Sequence, residues 1–251
     1  MKNAAPTVAT RAKTSTTGGR TAAASRAVEA PVRSTTGNGA TAQAILKAAL
    51  DLFARDGFDG ASIPSIAKAA SIGHPLVHYH FGSKENLWRA AVDHAFDDLQ
   101  RSMDRLEESA AELAPVDALQ KLLREFAGFT ARHPAHTFII LNELRSGGAR
   151  FDWLVERHLG PLHSRLDRFI DAAIATGSIR PVPAAHLSSI AIGATVHFFG
   201  AAPLLSRLYN VATHDPDVIE AHSRWVLEIL MKGLAVAPGE AAAQLPGETH
   251  D

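Results

Sequence analysis

Apolar residues recur at intervals of three and four along most of the chain between residues 40 and 236. That spacing places them on one side of an α-helix, and no segment alternates apolar and polar residues as a half-buried strand would. The longest unbroken pattern runs from Ser83 to Leu106, which at about 1.5 Å per residue gives a helix roughly 35 Å long. The pattern therefore predicts an all-α protein of about nine helices.

Glycine and proline residues mark where these helices begin and end. Gly57 follows an apolar stripe, where glycine commonly ends a helix, and Pro216 suits a first helical turn. We expect a bend at Gly160-Pro161 and a kink or helix end at Pro203. The first seven predicted helices span residues 41–56, 62–70, 74–81, 83–106, 116–132, 135–145 and 149–176. The eighth starts at residues 181–183 and carries the apolar run 190–205, and the ninth spans residues 215–233.

Residues 62–81 read SIPSIAKAASIGHPLVHYHF and predict two short helices joined by a tight turn. The Ser62 hydroxyl can accept from the free amide of Ser65, and Gly73 suits the N-cap of the second helix. In that second helix Val77 points inward, whereas a leucine and a tyrosine flanked by three histidines point outward. Such a helix suits insertion into the major groove of DNA, which makes the pair a helix-turn-helix. An ordinary helical hairpin is the alternative.

Two runs of residues around this motif match a known pattern. The chain reads AxxLFxxxGFxGxS over residues 49–62 and then IA…HYHFGSKENL over residues 66–87. Together they resemble the DNA-binding domain of the tetracycline-repressor (TetR/AcrR) family of transcriptional regulators, over residues 41–92. Ser71 stands where the family usually has glycine in the turn, and His78 stands where tyrosine is usual. These departures affect which bases are read rather than whether the domain folds.

The resemblance implies a domain organisation. Residues 40–95 would form a three-helix DNA-binding domain, and residues 96–236 a helical domain for effector binding and dimerisation. Family members dimerise through their last two helices, so Trp225, Val226 and Ile229 are expected at a homodimer interface. A monomer in which these helices are simply core is the alternative.

The start of the first helix of the pair, the reading helix and the start of the next helix supply the expected DNA contacts. They are Ser62, Ser65, His74, Pro75, Leu76, His78, Tyr79, His80 and Lys84. Lys84 and the amides beside it would hold a phosphate, because both charge and helix dipole favour an anion there.

A ligand pocket is expected among the helices that follow the DNA-binding domain, chiefly on the family resemblance. Its expected lining residues are Phe96, Leu99, Met103, Phe126, Phe129, Phe138, Asn142, Trp153, His163, Leu166, Phe169, Thr195 and His197. For any one of the apolar residues, ordinary core packing is the alternative.

Composition changes the picture at both ends of the chain. Residues 1–39 are rich in Thr, Ala, Ser and Gly and carry six basic residues against one acidic residue, a net charge of +5. Such a segment buries too little apolar surface to fold, so we expect a disordered basic tail there and a second disordered tail at residues 237–251. Loose contact with phosphates and a merely solubilising role are both open for the first tail. Residues 40–95 hold five basic and five acidic residues, so DNA binding must depend on a few well-placed donors.

Other classes of protein are disfavoured by what the sequence lacks. The chain has no cysteine, which excludes disulfides and thiolate chemistry. It contains no GxSxG, P-loop or GxGxxG motif, and no Asp or Glu is followed by His three residues later. The apolar run 190–205 falls short of the roughly 20 residues that span a membrane. We therefore expect no enzyme activity, no metal, no cofactor and no membrane partner.

These features together predict a homodimeric transcriptional repressor in the cytoplasm. It would bind a palindromic operator in double-stranded DNA. A small-molecule effector would release it by changing the tilt of the helix over residues 83–106. An activator with the same fold and a non-catalytic helical interaction module are the alternatives.

Overall fold

The computed structural model describes residues 36–236, with side chains from residue 39 onward, and all regular structure in this range is helical. Residues 1–35 and 237–251, which hold most of the two predicted tails, lie outside the described residues. The all-α prediction is confirmed for the described part of the chain. Its helices are α1 (Thr36–Gly60), α2 (Ile63–Ala69), α3 (His74–Phe81), α4 (Lys84–Ala110), α5 (Pro115–Arg132), α6 (Pro134–Ser146), α7 (Ala149–Leu154), α8 (Gly160–Ala175), α9 (Ala184–Gly200), α10 (Ala202–Tyr209) and α11 (Pro216–Leu234).

The first three helices pack together through the apolar stripe of α1. The helix itself begins at Thr36, several residues earlier than predicted. Ile45 and Phe53 of this stripe are buried. Gly57 interrupts the helix with φ +71°, a conformation that favours glycine. Phe58 then folds back, so that its ring lies 5.9 Å from the Phe53 ring. The predicted helix end at Gly57 is therefore confirmed.

α4 connects these helices to the rest of the protein. The Ser83 hydroxyl accepts a 3.1 Å hydrogen bond from the Asn86 amide and caps the start of α4, and Glu85 lies in its first turn. The buried side of α4 begins at Leu87 and recurs through to Ala110. Because α4 packs against α1 and α3 and also against α5 and α6, one hydrophobic core runs through both parts of the fold.

A π-helical turn at Val155–Leu159 separates α7 from α8, where a bend at Gly160-Pro161 was predicted. The Gly160 amide donates to the Val155 carbonyl five residues earlier, so the turn holds one residue more than an α-helical turn. Pro161 explains where the turn falls. Proline has no amide hydrogen, and in a regular helix its ring would clash with the carbonyl four residues before it.

The predicted helix that carries the run 190–205 is divided into α9 and α10, which meet at an angle of 70°. Pro203 lies in the first turn of α10, where its missing amide costs no hydrogen bond, so the predicted kink is confirmed. This break and the π turn raise the number of helices in the described residues to eleven. Within residues 36–236 no single helix is long and apolar enough to cross a membrane, and only this bent pair meets those requirements together.

α5 lies at the centre of the C-terminal helices and packs against α4, α6, α8, α9 and α11. Leu119 and Leu122 of its apolar stripe are buried there. α6 packs against α5 and also against α1. Two helices, α4 and α6, therefore contact both the N-terminal helices and the central helix α5.

Candidate DNA-binding surface and ligand cavity

α2 and α3 form the predicted helix-turn-helix. The Ser62 hydroxyl accepts a 3.2 Å hydrogen bond from the Ser65 amide, and the two serine hydroxyls lie 2.6 Å apart. Gly73 precedes α3, and Pro75 lies in the first turn of that helix. Ser71 adopts φ +57° in the turn, the left-handed conformation for which the resembled family usually has glycine. That conformation costs a residue with a side chain about 1 kcal/mol, which the packing of both helices offsets.

The outward face of α3 carries most of the side chains predicted to meet DNA. Tyr79 is 73% exposed and Leu76 is 37% exposed, whereas Val77 is buried in the core as predicted. His80 is half-buried, and its Nε2 atom has no hydrogen-bond partner among the described residues. The other exposed residues of this face are His74, Pro75 and His78. The structure thus brings the predicted set onto one surface, with His80 turned partly inward.

Lys84, predicted to hold a DNA phosphate, is folded onto the last residues of α1, after the break at Gly57. Its ammonium lies 4.5 Å from the centre of the Phe58 ring and 3.4 Å from the Asp59 carbonyl oxygen. Lys84 also borders a depression of about 70 Å³ together with His78 and Ser83. A phosphate at this depression would meet the N-terminus of α4, where the helix dipole favours an anion.

A cluster of polar and aromatic side chains joins α6 to the end of α1. Arg150 places its guanidinium 3.9 Å from the centre of the Phe58 ring and donates to the Glu143 carboxylate at 3.2 Å. Burial raises the pKa of Glu143, although the charge of Arg150 opposes the rise. On the same helix the Asn142 side chain donates to the Ala54 carbonyl at 3.0 Å. We call Phe58, Asn142, Glu143 and Arg150 the α1–α6 cluster.

A cavity of about 260 Å³ lies among α4, α5, α6, α8 and α9. Seven of the predicted lining residues border it: Phe96, Leu99, Met103, Phe126, Phe129, His163 and Leu166. α6 contributes five further lining residues that were not predicted: His136, Thr137, Ile140, Leu141 and Leu144. Leu141 and Leu144 are also exposed at the surface, so the cavity opens to solvent beside α6.

Six predicted lining residues lie outside the cavity: Phe138, Asn142, Trp153, Phe169, Thr195 and His197. Asn142 belongs to the α1–α6 cluster, and the Trp153 ring packs 5.4 Å from the Trp88 ring. The Thr195 hydroxyl donates to the Ala191 carbonyl of its own helix at 3.0 Å. The other three pack at the edge of the core or face solvent. Each of the six therefore lies on a part of its helix that does not face the cavity.

His136 is a cavity residue that the sequence did not single out. Its Nε2 atom lies 2.6 Å from the Ala95 carbonyl oxygen, which can only accept, so Nε2 carries the hydrogen. The ring packs against Phe96 and Phe129. Burial lowers the pKa of His136, although the Ala95 carbonyl opposes the effect. The spacing of His136 and Ile140, four residues apart on α6, is the signal that could have placed it beside the cavity.

The π turn links the cavity wall to α4 through His158. The His158 Nε2 atom lies 2.9 Å from the Asp93 carboxylate of α4, which also accepts from Arg157 at 2.8 Å. Burial raises the pKa of Asp93, but the hydrogen bonds from His158 and Arg157 outweigh it and the pKa is lowered. The His158 ring stacks 4.5 Å from Phe96, which lines the cavity. Within residues 36–236, no group of three or more His, Asp or Glu is placed to hold a metal ion.

α11 presents an apolar face to solvent. Trp225 is 55% exposed and Ile229 is 68% exposed one helical turn later, with Val226 half-buried beside them. Ile190 of α9 and Leu208 of α10 are also exposed. Where exposed apolar residues form one contiguous patch, they often mark an interaction surface.

We expect acid to destabilise the protein through its buried histidines. Burial lowers the pKa of His133, His136 and His222, whereas an unfolded histidine binds a proton near about pH 6.5. Below that pH the unfolded state binds more protons than the folded state, so stability is present above it and lost as the pH falls toward the folded pKa. Urea unfolding between about pH 7 and about pH 5.5 measures the slope. His136→Gln keeps a donor for Ala95 and should flatten the slope, and an unchanged slope would contradict the assignment.

A helix-turn-helix with an exposed reading face, joined by one long helix to a helical group that encloses a cavity, defines a DNA-binding transcriptional regulator. Residues 45–91 match the family model described as "Bacterial regulatory proteins, tetR family". Residues 116–240 match the model described as "Tetracyclin repressor-like, C-terminal domain". Because these two regions together cover more than half of the chain, the protein belongs to the TetR family of bacterial regulatory proteins.

Individual relatives agree with this assignment. The chain is 29% identical to the HTH-type transcriptional repressor NicS of Pseudomonas putida over 140 residues, which are 55% of this chain and 59% of NicS. It is 24% identical to the HTH-type transcriptional regulator RutR of Escherichia coli K12 over 195 residues, 76% of this chain and 89% of RutR. The fold is similar to that of AibR in complex with isovaleryl coenzyme A and operator DNA. That match has a TM-score of 0.62 and 20% identity, and covers 76% of this chain and 98% of the AibR chain.

Proposed function

We propose that the protein is a homodimeric cytoplasmic repressor that binds a palindromic operator and leaves it when a small molecule fills the cavity. One observation carries the proposal: α4 and α6 each border the cavity and also contact the N-terminal helices. A ligand that favours a different position of either helix must also shift the helices that hold α3. The structure of AibR with both an acyl coenzyme A and operator DNA supports the pairing of effector and operator for this chain.

The DNA-binding part of the proposal depends on α3 and the start of α4. Leu76 and Tyr79 are exposed on α3 and would reach base edges, while Lys84 would hold a phosphate beside them. In the described structure the Lys84 ammonium lies on the Phe58 ring, and its flexible stem allows it to leave that ring for a phosphate. Contacts with the DNA phosphates would then fix the position of α3, and side chains of α3 would read the base sequence.

The route from the cavity to the DNA-binding helices has two branches. The sequence predicted only α4, which carries Phe96 and Leu99 in the cavity wall. α6 is the second branch, because Ile140 and Leu144 line the cavity while Asn142 and Glu143 belong to the α1–α6 cluster. A ligand that displaces Ile140 and Leu144 would pull on the hydrogen bonds that hold the end of α1. The ligand can lower operator affinity by no more than the ratio of its own affinities for the two arrangements.

Dimerisation would occur through the exposed apolar face of α11 with α9 and α10. A two-fold symmetric interface buries the same patch from both copies, so exposed Trp225 and Ile229 would meet their counterparts or their near neighbours. Two α3 helices would then lie about one turn of DNA, or a multiple of it, apart on one face of the duplex. This geometry is why a palindromic operator is proposed.

We expect Lys84→Ala and Tyr79→Ala to weaken DNA binding in different ways. Loss of a phosphate contact should lower affinity for all sequences alike and reduce the salt slope by about one. Loss of Tyr79 should change base preference and leave the salt slope unchanged, as should Leu76→Ala. Binding titrations at several salt concentrations, on a selected operator and on random DNA, measure both effects. Lys84→Arg, which keeps the positive charge, is the matched control. Equal effects from the three alanine variants would contradict this division between phosphate contacts and base contacts.

Selection of bound sequences from random DNA with the full-length protein tests the function as a whole. A regulator that reads a palindrome should enrich one inverted repeat, and a gel shift on DNA beside its own gene should then show a retarded band. If no DNA is retained at low salt, the chain is an interaction module that has kept the scaffold. Transcription from the selected site, with and without the protein, distinguishes a repressor from an activator.

A further inference from the structure

The wall of the cavity is almost entirely hydrocarbon. Leucine, isoleucine, valine, methionine and phenylalanine side chains make up most of it, and none of its lining residues is Asp, Glu, Lys or Arg. Of its few polar side chains, the Thr130 hydroxyl donates to the Phe126 carbonyl at 2.9 Å, and the His136 Nε2 atom is held by Ala95. The His136 Nδ1 atom is buried and has no hydrogen-bond partner among the described residues, whereas Nε2 and the Thr130 hydroxyl are occupied within the protein. The wall therefore offers a ligand few polar contacts.

Thr137 is a second buried polar residue of the wall with an unpaired side-chain atom, beside His136. Its side chain is 95% buried and borders the cavity, yet within the described residues its hydroxyl has no hydrogen-bond partner. A buried polar group without a partner is costly, and the usual partner of such a group is water or a ligand. A hydroxyl can donate or accept, so it would satisfy an alcohol, a ketone, an ester or an amide equally.

We infer that the effector is a small uncharged molecule, with a hydrocarbon body in the cavity and one hydrogen-bonding group on the Thr137 hydroxyl. This inference rests on the proposed function, since it names the ligand class of the proposed effector site. A carboxylate, a phosphate or an ammonium group inside the cavity would lose its hydration and find no opposite charge, which disfavours it strongly. The volume of about 260 Å³ lies near the lower end of known small-molecule sites, so the molecule is small.

The opening of the cavity agrees with an apolar ligand. Leu141 is 42% exposed and Leu144 is 59% exposed where α6 meets solvent, and both also line the cavity. His163 is exposed on the α8 side. Two leucines at an entrance let a hydrocarbon leave water gradually.

A matched set of eight-carbon probes tests the ligand class on the full-length protein. 1-Octanol is neutral, octanoate is negative and octylamine is positive, while their chains are the same. Calorimetry and thermal shift near neutral pH should show that octanol binds at least about tenfold more tightly than either charged probe. Octanoate, octylamine or an acyl coenzyme A binding more tightly than octanol would overturn the inference, as would the absence of any octanol binding.

Two variants test the site itself. Thr137→Val removes the hydroxyl at nearly constant shape and should weaken octanol binding about three- to tenfold. The same variant should leave the unliganded protein as stable as before, because no internal hydrogen bond is lost. Ile192→Phe should fill part of the cavity and abolish octanol binding in a protein whose circular dichroism shows it is folded. Unchanged octanol affinity in both variants would place the ligand elsewhere and overturn the inference.

Operator release is measured separately, so that the two proposals fail in different ways. Octanol that binds in the cavity but leaves operator affinity unchanged would support the ligand class and contradict the effector role. A charged molecule that releases the operator, and whose binding is abolished by Ile192→Phe, would support the effector role and overturn the ligand class.

Discussion

Ile229→Asp should yield a monomer that no longer binds a palindromic operator. Ile229 is 68% exposed in the single chain, so a carboxylate there has little effect on the fold of one subunit. In the proposed dimer the same carboxylate would be buried without a partner, and two-fold symmetry would place it twice in one interface. Operator affinity should fall at least about 100-fold, because each reading helix must then bind its half-site alone.

Sedimentation velocity and gel shifts on whole and half operators measure these two effects. Ala172→Asp, which adds the same charge at an exposed position of α8, is the control and should remain a dimer. A variant that sediments like the wild-type protein would place the interface on another face. If the variant is monomeric but still binds the whole operator tightly, tight binding does not require two half-sites.

Arg150→Met should destabilise the protein by about 3 kcal/mol at alkaline pH, since it leaves the buried Glu143 carboxylate without its charge partner. Burial already raises the pKa of Glu143, and loss of Arg150 raises it further. A carboxyl group whose folded pKa exceeds its unfolded pKa is favourable only while protonated. Its stabilisation is therefore present at low pH and lost as the pH rises through the folded pKa. The deficit of the variant should accordingly be smaller near about pH 5 than near about pH 8.

Urea unfolding at both pH values checks this result. Arg101→Met is the matched control, because it removes an arginine from an exposed pair with Asp98 and should cost no more than about 0.5 kcal/mol. Adding Glu143→Gln to Arg150→Met should recover part of the loss, since no buried charge remains. An equal deficit at the two pH values would mean that Arg150 acts through its packing on Phe58 alone.

Local signals in the sequence were sufficient for the helix-turn-helix and for α4. A serine N-cap, a proline in the first turn and a glycine at a positive φ each act within a few residues, so Ser62, Ser83 and Gly57 could be assigned from their neighbours. The family motif extended the same reasoning to the surface of α3. The outward position of Leu76 and Tyr79 followed from helical spacing alone.

The cavity could be predicted only in part, because helical spacing shows which side of a helix is buried and not what it meets. The expected positions Phe96, Leu99 and Met103 border the cavity, since the stripe of α4 is long and regular. Asn142 and Trp153 were assigned to the cavity, but α6 and α7 turn them toward α1 and α4. Whether a buried side chain meets a neighbouring helix or a cavity depends on contacts between segments far apart in the chain.

The π turn at Val155–Leu159 affects how this chain is aligned with its relatives. The turn holds one residue more than an α-helical turn, so a relative with an α-helical turn here would be one residue shorter. A relative that lacks the turn would align correctly only with a gap of one residue in this segment. An ungapped alignment would pair His163 with the wrong residue and rotate the assigned faces of α8 by about 100°, at about 3.6 residues per turn. Comparisons of cavity positions across relatives should therefore follow helical register rather than residue count.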